Sequence, residues 1–275
     1  MTPPQRQDHT WDPDRYLAYA DERGRPFVDL LARIDAMSPG SPGSPARVVD
    51  LGCGPGNLTR LLAQRWPEAR VSGLDSSPAM IEAARRDHGE TGIDFAVADL
   101  REWRPDEKVD VLVSNATLQW VDGHLDLLPR LVAALAPGGR LALQVPGNFG
   151  EPSHELRREL AAQAPYADHL HDIATPASHD PEVYLRVLSD LGCAVDAWET
   201  TYLHLLPAVE DPDPVFTWVS ATGARPTLEA LPAALRERFV TEFTAGLRAA
   251  YPPRDGVVVL PFRRVFAVAR APEEA

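Results

Sequence analysis

Short apolar runs punctuate the first half of the chain, each ending in a polar residue and followed by residues at helical spacing. Val48-Val49 runs into Asp50, a turn with three glycines, and an amphipathic pattern from Leu58 to Arg65. Val71 to Leu74 ends at Asp75, before a helix that starts at Pro78. Ile93 to Val97 leads into Ala98-Asp99-Leu100, and Val109 to Val113 leads into Ser114-Asn115-Ala116. Leu125 to Leu135 reads as a helix stopped by Pro137-Gly138-Gly139, and Leu141 to Val145 as a fifth strand. This alternation predicts an α/β fold with a doubly wound parallel sheet.

Beyond Gly147 the pattern changes. Helical segments over Pro152–Gln163 and Pro181–Leu191 precede a strand-like run, Val195–Leu206. A second helical block covers Pro214–Gly223 and Leu228–Tyr251, and the chain returns to strand over Val257–Leu260 and Arg264–Ala269. Two late strands without a short turn between them predict an antiparallel edge interrupted by a helical insertion, placed to roof a crevice. Ser38–Pro45, with its Ser-Pro-Gly repeats, reads as a linker after an N-terminal helix over roughly Phe27–Ala36. The organisation expected is one integrated domain. It comprises an N-terminal lid helix and linker (1–46), a cofactor-binding core (47–146), a helical segment (147–192), and C-terminal strands carrying the helical cap (193–275).

Composition narrows the function. With 275 residues, 44% hydrophobic and 24% charged, the chain is ordinary for a globular protein. A net charge of −13 argues against a nucleic-acid or membrane surface and against a long acidic polymer as substrate. Two cysteines, Cys53 and Cys193, supply neither a disulfide framework nor a zinc site, so no metal is expected. The polar, proline-rich start has no signal-peptide core and no later run is long enough to span a bilayer, which makes the cytoplasm the default location. Nothing in the sequence sets an oligomeric state, and a monomer is compatible with it.

Four strand tips carry Asp50, Asp75, Asp99 and Asn115. Ligands of open α/β sheets bind at the carboxyl ends of strands, so one crevice can collect all four. Asp75 falls 19 residues after Gly56, near the spacing at which a carboxylate grips a ribose; its alternative role is to cap the helix beginning at Pro78. A dinucleotide turn, G-x-G-x-x-G, needs glycine at position 57, where Asn57 stands. Asp50-Leu51-Gly52-Cys53-Gly54-Pro55-Gly56 instead resembles the D/E-x-G-x-G-x-G turn of S-adenosylmethionine enzymes, whose glycines admit a close ligand.

Over nearly its full length the chain resembles class I S-adenosylmethionine-dependent methyltransferases, and more narrowly the trans-aconitate methyltransferase family. The likeness rests on Trp11-Asp12-Pro13 with Tyr16-Leu17, Glu22-Arg23-Gly24-Arg25-Pro26, the glycine turn through Asn57, and Gly73-Leu74-Asp75-Ser76-Ser77-Pro78-Ala79-Met80. It continues through Asn115-Ala116-Thr117-Leu118-Gln119-Trp120, Thr200-Thr201-Tyr202, His204, and Trp218-Val219-Ser220-Ala221-Thr222-Gly223 with Arg225-Pro226. A longer linker and Gly147-Asn148-Phe149 depart from the family's pattern, the latter beside the expected acceptor pocket. The resemblance implies a seven-stranded, mostly parallel sheet with an antiparallel strand inserted. The activity it implies is methyl ester formation on a carboxylate of trans-aconitate or a similar small anionic polycarboxylate.

On this reading Asp50, Gly52, Cys53, Gly54, Gly56, Asn57, Asp75, Ser76, Met80, Asp99, Leu100 and Asn115 serve the cofactor. Tyr16, Arg25, Gln119, Trp120, Tyr202, His204, Trp218, Arg225 and Arg264 serve the acceptor, with Tyr19 beside Tyr16 as a lid residue. Arginine suits an anionic acceptor because its planar fork pairs with both carboxylate oxygens. A carboxylate is already ionised at neutral pH, so no general base and no catalytic side chain is expected. Three rivals stand beside this reading: a methyltransferase for another acid or natural-product acceptor, an NAD(P)-dependent oxidoreductase, and a non-catalytic S-adenosylmethionine-binding protein.

Overall fold

Seven strands form one sheet in the order β3-β2-β1-β4-β5-β7-β6. They are β1 (Arg47–Leu51), β2 (Arg70–Asp75), β3 (Asp94–Val97), β4 (Val109–Asn115), β5 (Leu135–Pro146), β6 (Ala194–Pro207) and β7 (Val257–Arg270). The structure, a computed structural model, describes residues 20–36, 45–170, 173 and 175–273. The first five strands pair in parallel, and β7 runs antiparallel to both β5 and β6. The helices are α1 (Ala20–Ala36), α2 (Thr59–Arg65), α3 (Pro78–His88), α4 (Leu128–Ala133), α5 (Pro152–Ala161), α6 (Pro181–Asp190), α7 (Pro214–Ser220), α8 (Arg225–Ala230) and α9 (Ala233–Ala250).

The sheet is buried on both faces because adjacent residues of one strand face opposite layers. Val48, Val111, Val113 and Ala142 pack with Phe27, Leu30 and Ile34 of α1 and with residues of α2 and α3. Val49, Leu112, Leu141 and Leu143 pack on the other face with Leu128 and Leu131 of α4 and Tyr184 and Leu188 of α6. A third cluster, including Trp218, Phe239, Phe243, Leu247, Leu206 and Leu260, joins α7 and α9 to the far ends of β6 and β7. This is the helical insertion between the two late strands, and it forms a cap beside the sheet.

Two boundaries differ from the sequence expectation. The helix expected over Leu125–Leu135 is a 3-10 turn over His124–Leu127 followed by α4, because Leu135 already pairs with Val109 as part of β5. The two segments Val257–Leu260 and Arg264–Ala269 are one continuous strand, since β6 pairs with β7 along its whole length, Pro261 included. The linker is described only at Pro45, and Tyr16 and Tyr19 lie outside the described residues.

Candidate functional site

The turn after β1 is shaped by what lies behind it. Gly52 has φ +81° and a Cβ there would stand 2.1 Å from Thr117 Oγ1; Gly56 has φ +82° and a Cβ there would meet the Phe95 ring at 2.8 Å. Side chains at these two positions are excluded by both conformation and space. Gly54 differs: a Cβ there would meet nothing within 4 Å, so its backbone faces open crevice. Cys53 is buried in the core cluster under the turn, and burial pushes its thiol pKa up, which leaves it inert.

The carboxylates divide into supports and rim. Asp50 is 2% exposed and accepts a 2.7 Å hydrogen bond from Thr59 Oγ1. Burial pushes its pKa up to about 7, with the neighbouring Asp75 charge adding to the rise. It therefore underpins the turn from below. Asp75, at the tip of β2, accepts the Gly54 N–H at 3.0 Å and the Ser77 N–H at 2.8 Å. Its pKa is raised by burial. The cap of α3 is supplied by Ser77, whose Oγ accepts from the Met80 N–H; Ser76 is exposed and Met80 is buried. Asp99 is held by Arg101, whose guanidinium keeps its pKa below the usual carboxylate range, while the Leu100 side chain lies in the core. Asn57 is half-buried beside the turn.

At the tip of β4 the backbone turns sharply. Ala116 has φ +53°, a left-handed conformation that a non-glycine residue adopts at some cost. Gln119 Nε2 donates to the Ala116 carbonyl at 2.6 Å and secures it. The Oδ1 of buried Asn115 and the Oε1 of buried Gln119 have no hydrogen-bond partner among the described residues.

From this tip a cavity, partly open to solvent, extends towards the cap. Asn115, Ala116, Gln119 and Trp120 form one end; Phe262 and Arg264 line it from β7; Trp218, Val219, Thr222 and Gly223 line it from the cap. Arg264 is 5% exposed, and its guanidinium carbon sits 4.4 Å from the Phe262 ring centroid while Nη1 donates to Gln144 Oε1 at 3.4 Å. The antiparallel register explains its position: Arg264 pairs with Pro146, at the carboxyl end of β5.

The structure brings Gln119, Trp120, Trp218 and Arg264 together on the cavity wall and leaves four other expected acceptor residues off it. Tyr202 is buried against α1, where its hydroxyl donates to Asp29 Oδ2 at 2.6 Å and Arg25 lies 5.1 Å above its ring. His204 stacks behind Trp218 at 4.5 Å and supports that wall. Arg225 is ion-paired with Glu229 at 2.6 Å, one turn along α8. Sequence reasoning missed Asn148, Phe149, His154 and Pro176, which also line the cavity. Asn148-Phe149 carried a signal, since the loop departs from the family's pattern. His154 and Pro176 carried none. Pro176 is placed by its neighbours, as Ala177 N–H donates to the Gln119 carbonyl at 2.9 Å and Ser178 Oγ to the Pro146 carbonyl at 2.6 Å.

This strand order, with an antiparallel β7 between β5 and β6 and a glycine turn at the β1 tip, defines a class I methyltransferase. Curated relatives named trans-aconitate 2-methyltransferase are 55% identical in Streptomyces avermitilis (94% of this chain, 96% of the relative) and 56% identical in Streptomyces coelicolor (96% and 88%). The chain belongs to the trans-aconitate 2-methyltransferase family. Residues 48–139 match the methyltransferase domain family. Among solved structures, the YcgJ protein of Bacillus subtilis shares the fold at TM-score 0.57 and 14% identity over 90% of this chain and 99% of that one. The BH2331 protein of Bacillus halodurans does so at TM-score 0.54 and 15% identity, over 89% and 99%.

Proposed function

We propose that the protein transfers a methyl group from S-adenosylmethionine to a carboxylate of trans-aconitate or a closely similar small polycarboxylate, giving a methyl ester. One observation carries the acceptor side of this reading: a buried arginine, Arg264, opens onto a cavity that begins at the tip of β4. A mostly apolar cavity with one fixed guanidinium suits a small anion better than a neutral acceptor. The names of the relatives favour the same acceptor.

The residues present fit the donor. The open face at Gly54 leaves room for a ligand against the backbone, and the Asp75 carboxylate at the rim retains lone pairs for ribose hydroxyls. Asp99 and Leu100 would hold the adenine end, and Asn115, whose Oδ1 has no partner among the described residues, would hold the methionyl end. Asp50, with Thr59, holds the turn in shape from beneath. When bound, the donor supplies an electrophilic methyl on a sulfonium. The protein's part is alignment and exclusion of water, which contribute roughly 7–11 kcal/mol where the geometry is good. Arg264 orients the ionised acceptor, the Trp218 and Phe262 rings dry its surroundings, and no side chain is required to take a proton.

The test is turnover of labelled S-adenosylmethionine with trans-aconitate, cis-aconitate, isocitrate, citrate and an uncharged ester. Base-labile label formed fastest with trans-aconitate is the expected result. Donor binding without turnover of any acid would overturn the acceptor assignment.

A further inference from the structure

Arg157, on α5, is 4% exposed. Its Nη1 donates to Thr227 Oγ1 at 2.8 Å, and Thr227 is itself fully buried. Its Nε has no hydrogen-bond partner, and no carboxylate among the described residues is paired with it. The charge that acts on it most is another cation, Arg158, and burial pulls its pKa down. A buried guanidinium without a counter-ion costs several kcal/mol, and folded proteins rarely keep one without a use.

One turn earlier on α5, His154 lines the cavity. Its ring stands edge-on to Phe149 at 5.0 Å, and a Cβ at Gly223 would lie 2.9 Å from its Cε1, so the ring is held from two sides. Burial and the two neighbouring arginines keep it neutral, with a pKa near 4. The α5 wall thus carries a neutral imidazole, with a buried cation one turn along the helix that has no carboxylate partner among the described residues. It belongs to the cap and its loops, whereas the opposite end of the cavity is the β4 tip.

We propose that Arg157, acting through His154, is the counter-charge for a second carboxylate of the acceptor, the one that is not methylated. This rests on the reading of the cavity as a polycarboxylate site. Arg157 is a positioning residue: it sits behind His154, and its field turns that wall into a seat for an anion. On that reading the donor would sit at the strand tips, so a carboxylate seated against α5 would leave a different one facing the methyl group. The wall therefore selects acids with more than one carboxylate.

The test compares trans-aconitate with fumarate and crotonate, which carry three, two and one carboxylates, using the full chain and labelled S-adenosylmethionine. Arg157→Met is expected to raise the KM for trans-aconitate about tenfold, because the seat loses its counter-charge. It should leave kcat within about twofold, and crotonate kcat/KM should be unchanged. Arg157→Lys should recover most of the loss. Binding of S-adenosylhomocysteine by calorimetry should match wild type and serves as the check on folding. Should Arg157→Met not fold, His154→Phe, which keeps the ring on Phe149 and removes its polar edge, carries the same expectation. An equal loss on all three acids, or none on trans-aconitate, overturns the proposal while leaving the function intact. Wild-type protein that methylates none of them overturns the function, and the proposal with it.

Discussion

The Asp75 carboxylate closes the glycine turn by accepting the backbone N–H of Gly54 at 3.0 Å, so the tips of β1 and β2 are fastened at the point where the crevice opens. The same carboxylate is the proposed ribose ligand. Asp75→Ala is expected to weaken donor binding by about 1–3 kcal/mol, from the loss of hydrogen bonds to a charged group. Calorimetry with S-adenosylhomocysteine measures it, and an unchanged affinity would remove Asp75 from the donor site.

Arg264 is the guanidinium on the cavity wall, while Arg225 is occupied by Glu229. Arg264→Met should raise the acceptor KM by about 10- to 100-fold, the equivalent of 1.5–3 kcal/mol, with donor affinity intact. Arg225→Met should change the KM by less than about threefold, since Arg225 is held by Glu229 within its own helix and does not line the cavity. Steady-state kinetics on both variants separates the two, and a larger effect at Arg225 would reverse the assignment.

Tyr202 is tied to Asp29 of α1. Its substitution is therefore expected to act on stability. Tyr202→Phe should lower the unfolding free energy by about 0.5–1.5 kcal/mol in urea while the acceptor KM stays within about twofold. A raised KM with unchanged stability would return Tyr202 to the acceptor site.

Asp50 gives a pH dependence whose sign follows from its burial. Its pKa rises from 3.8 to about 7 on folding, so between those values the folded protein keeps a proton that the unfolded chain has lost. The contribution is full below about pH 4 and is lost as pH rises through 7, each unit of separation being worth about 1.4 kcal/mol. Wild-type stability should therefore decline relative to Asp50→Asn between pH 4 and 7 in denaturant titrations. Parallel profiles for the two proteins would show that the Asp50 carboxyl does not hold its proton.

The parallel half of the sheet was legible because its information is local. Val48-Val49, Leu112-Val113 and the polar residues at the strand tips follow from alternation and from glycine chemistry, and both survive folding unchanged. The cap was legible only as helices. Whether a residue on β6 meets the cavity depends on what packs against its face, and α1 covers Tyr202 while Trp218 covers His204. His154 and Pro176 reach the wall from segments remote in sequence from the Asn115 and Arg264 they join there. Their roles come from tertiary packing, and no periodicity in either segment encodes it.

Strand β7 is the last of the seven in sequence, yet it lies between β5 and β6. Until it emerges from the ribosome, β6 has no strand to pair with and the cap stands on an unfinished edge. The acceptor cavity therefore cannot assemble during synthesis in step with the cofactor half. A chain stopped after α9 would retain five parallel strands and lose Phe262 and Arg264 along with the whole junction that holds the cap in place.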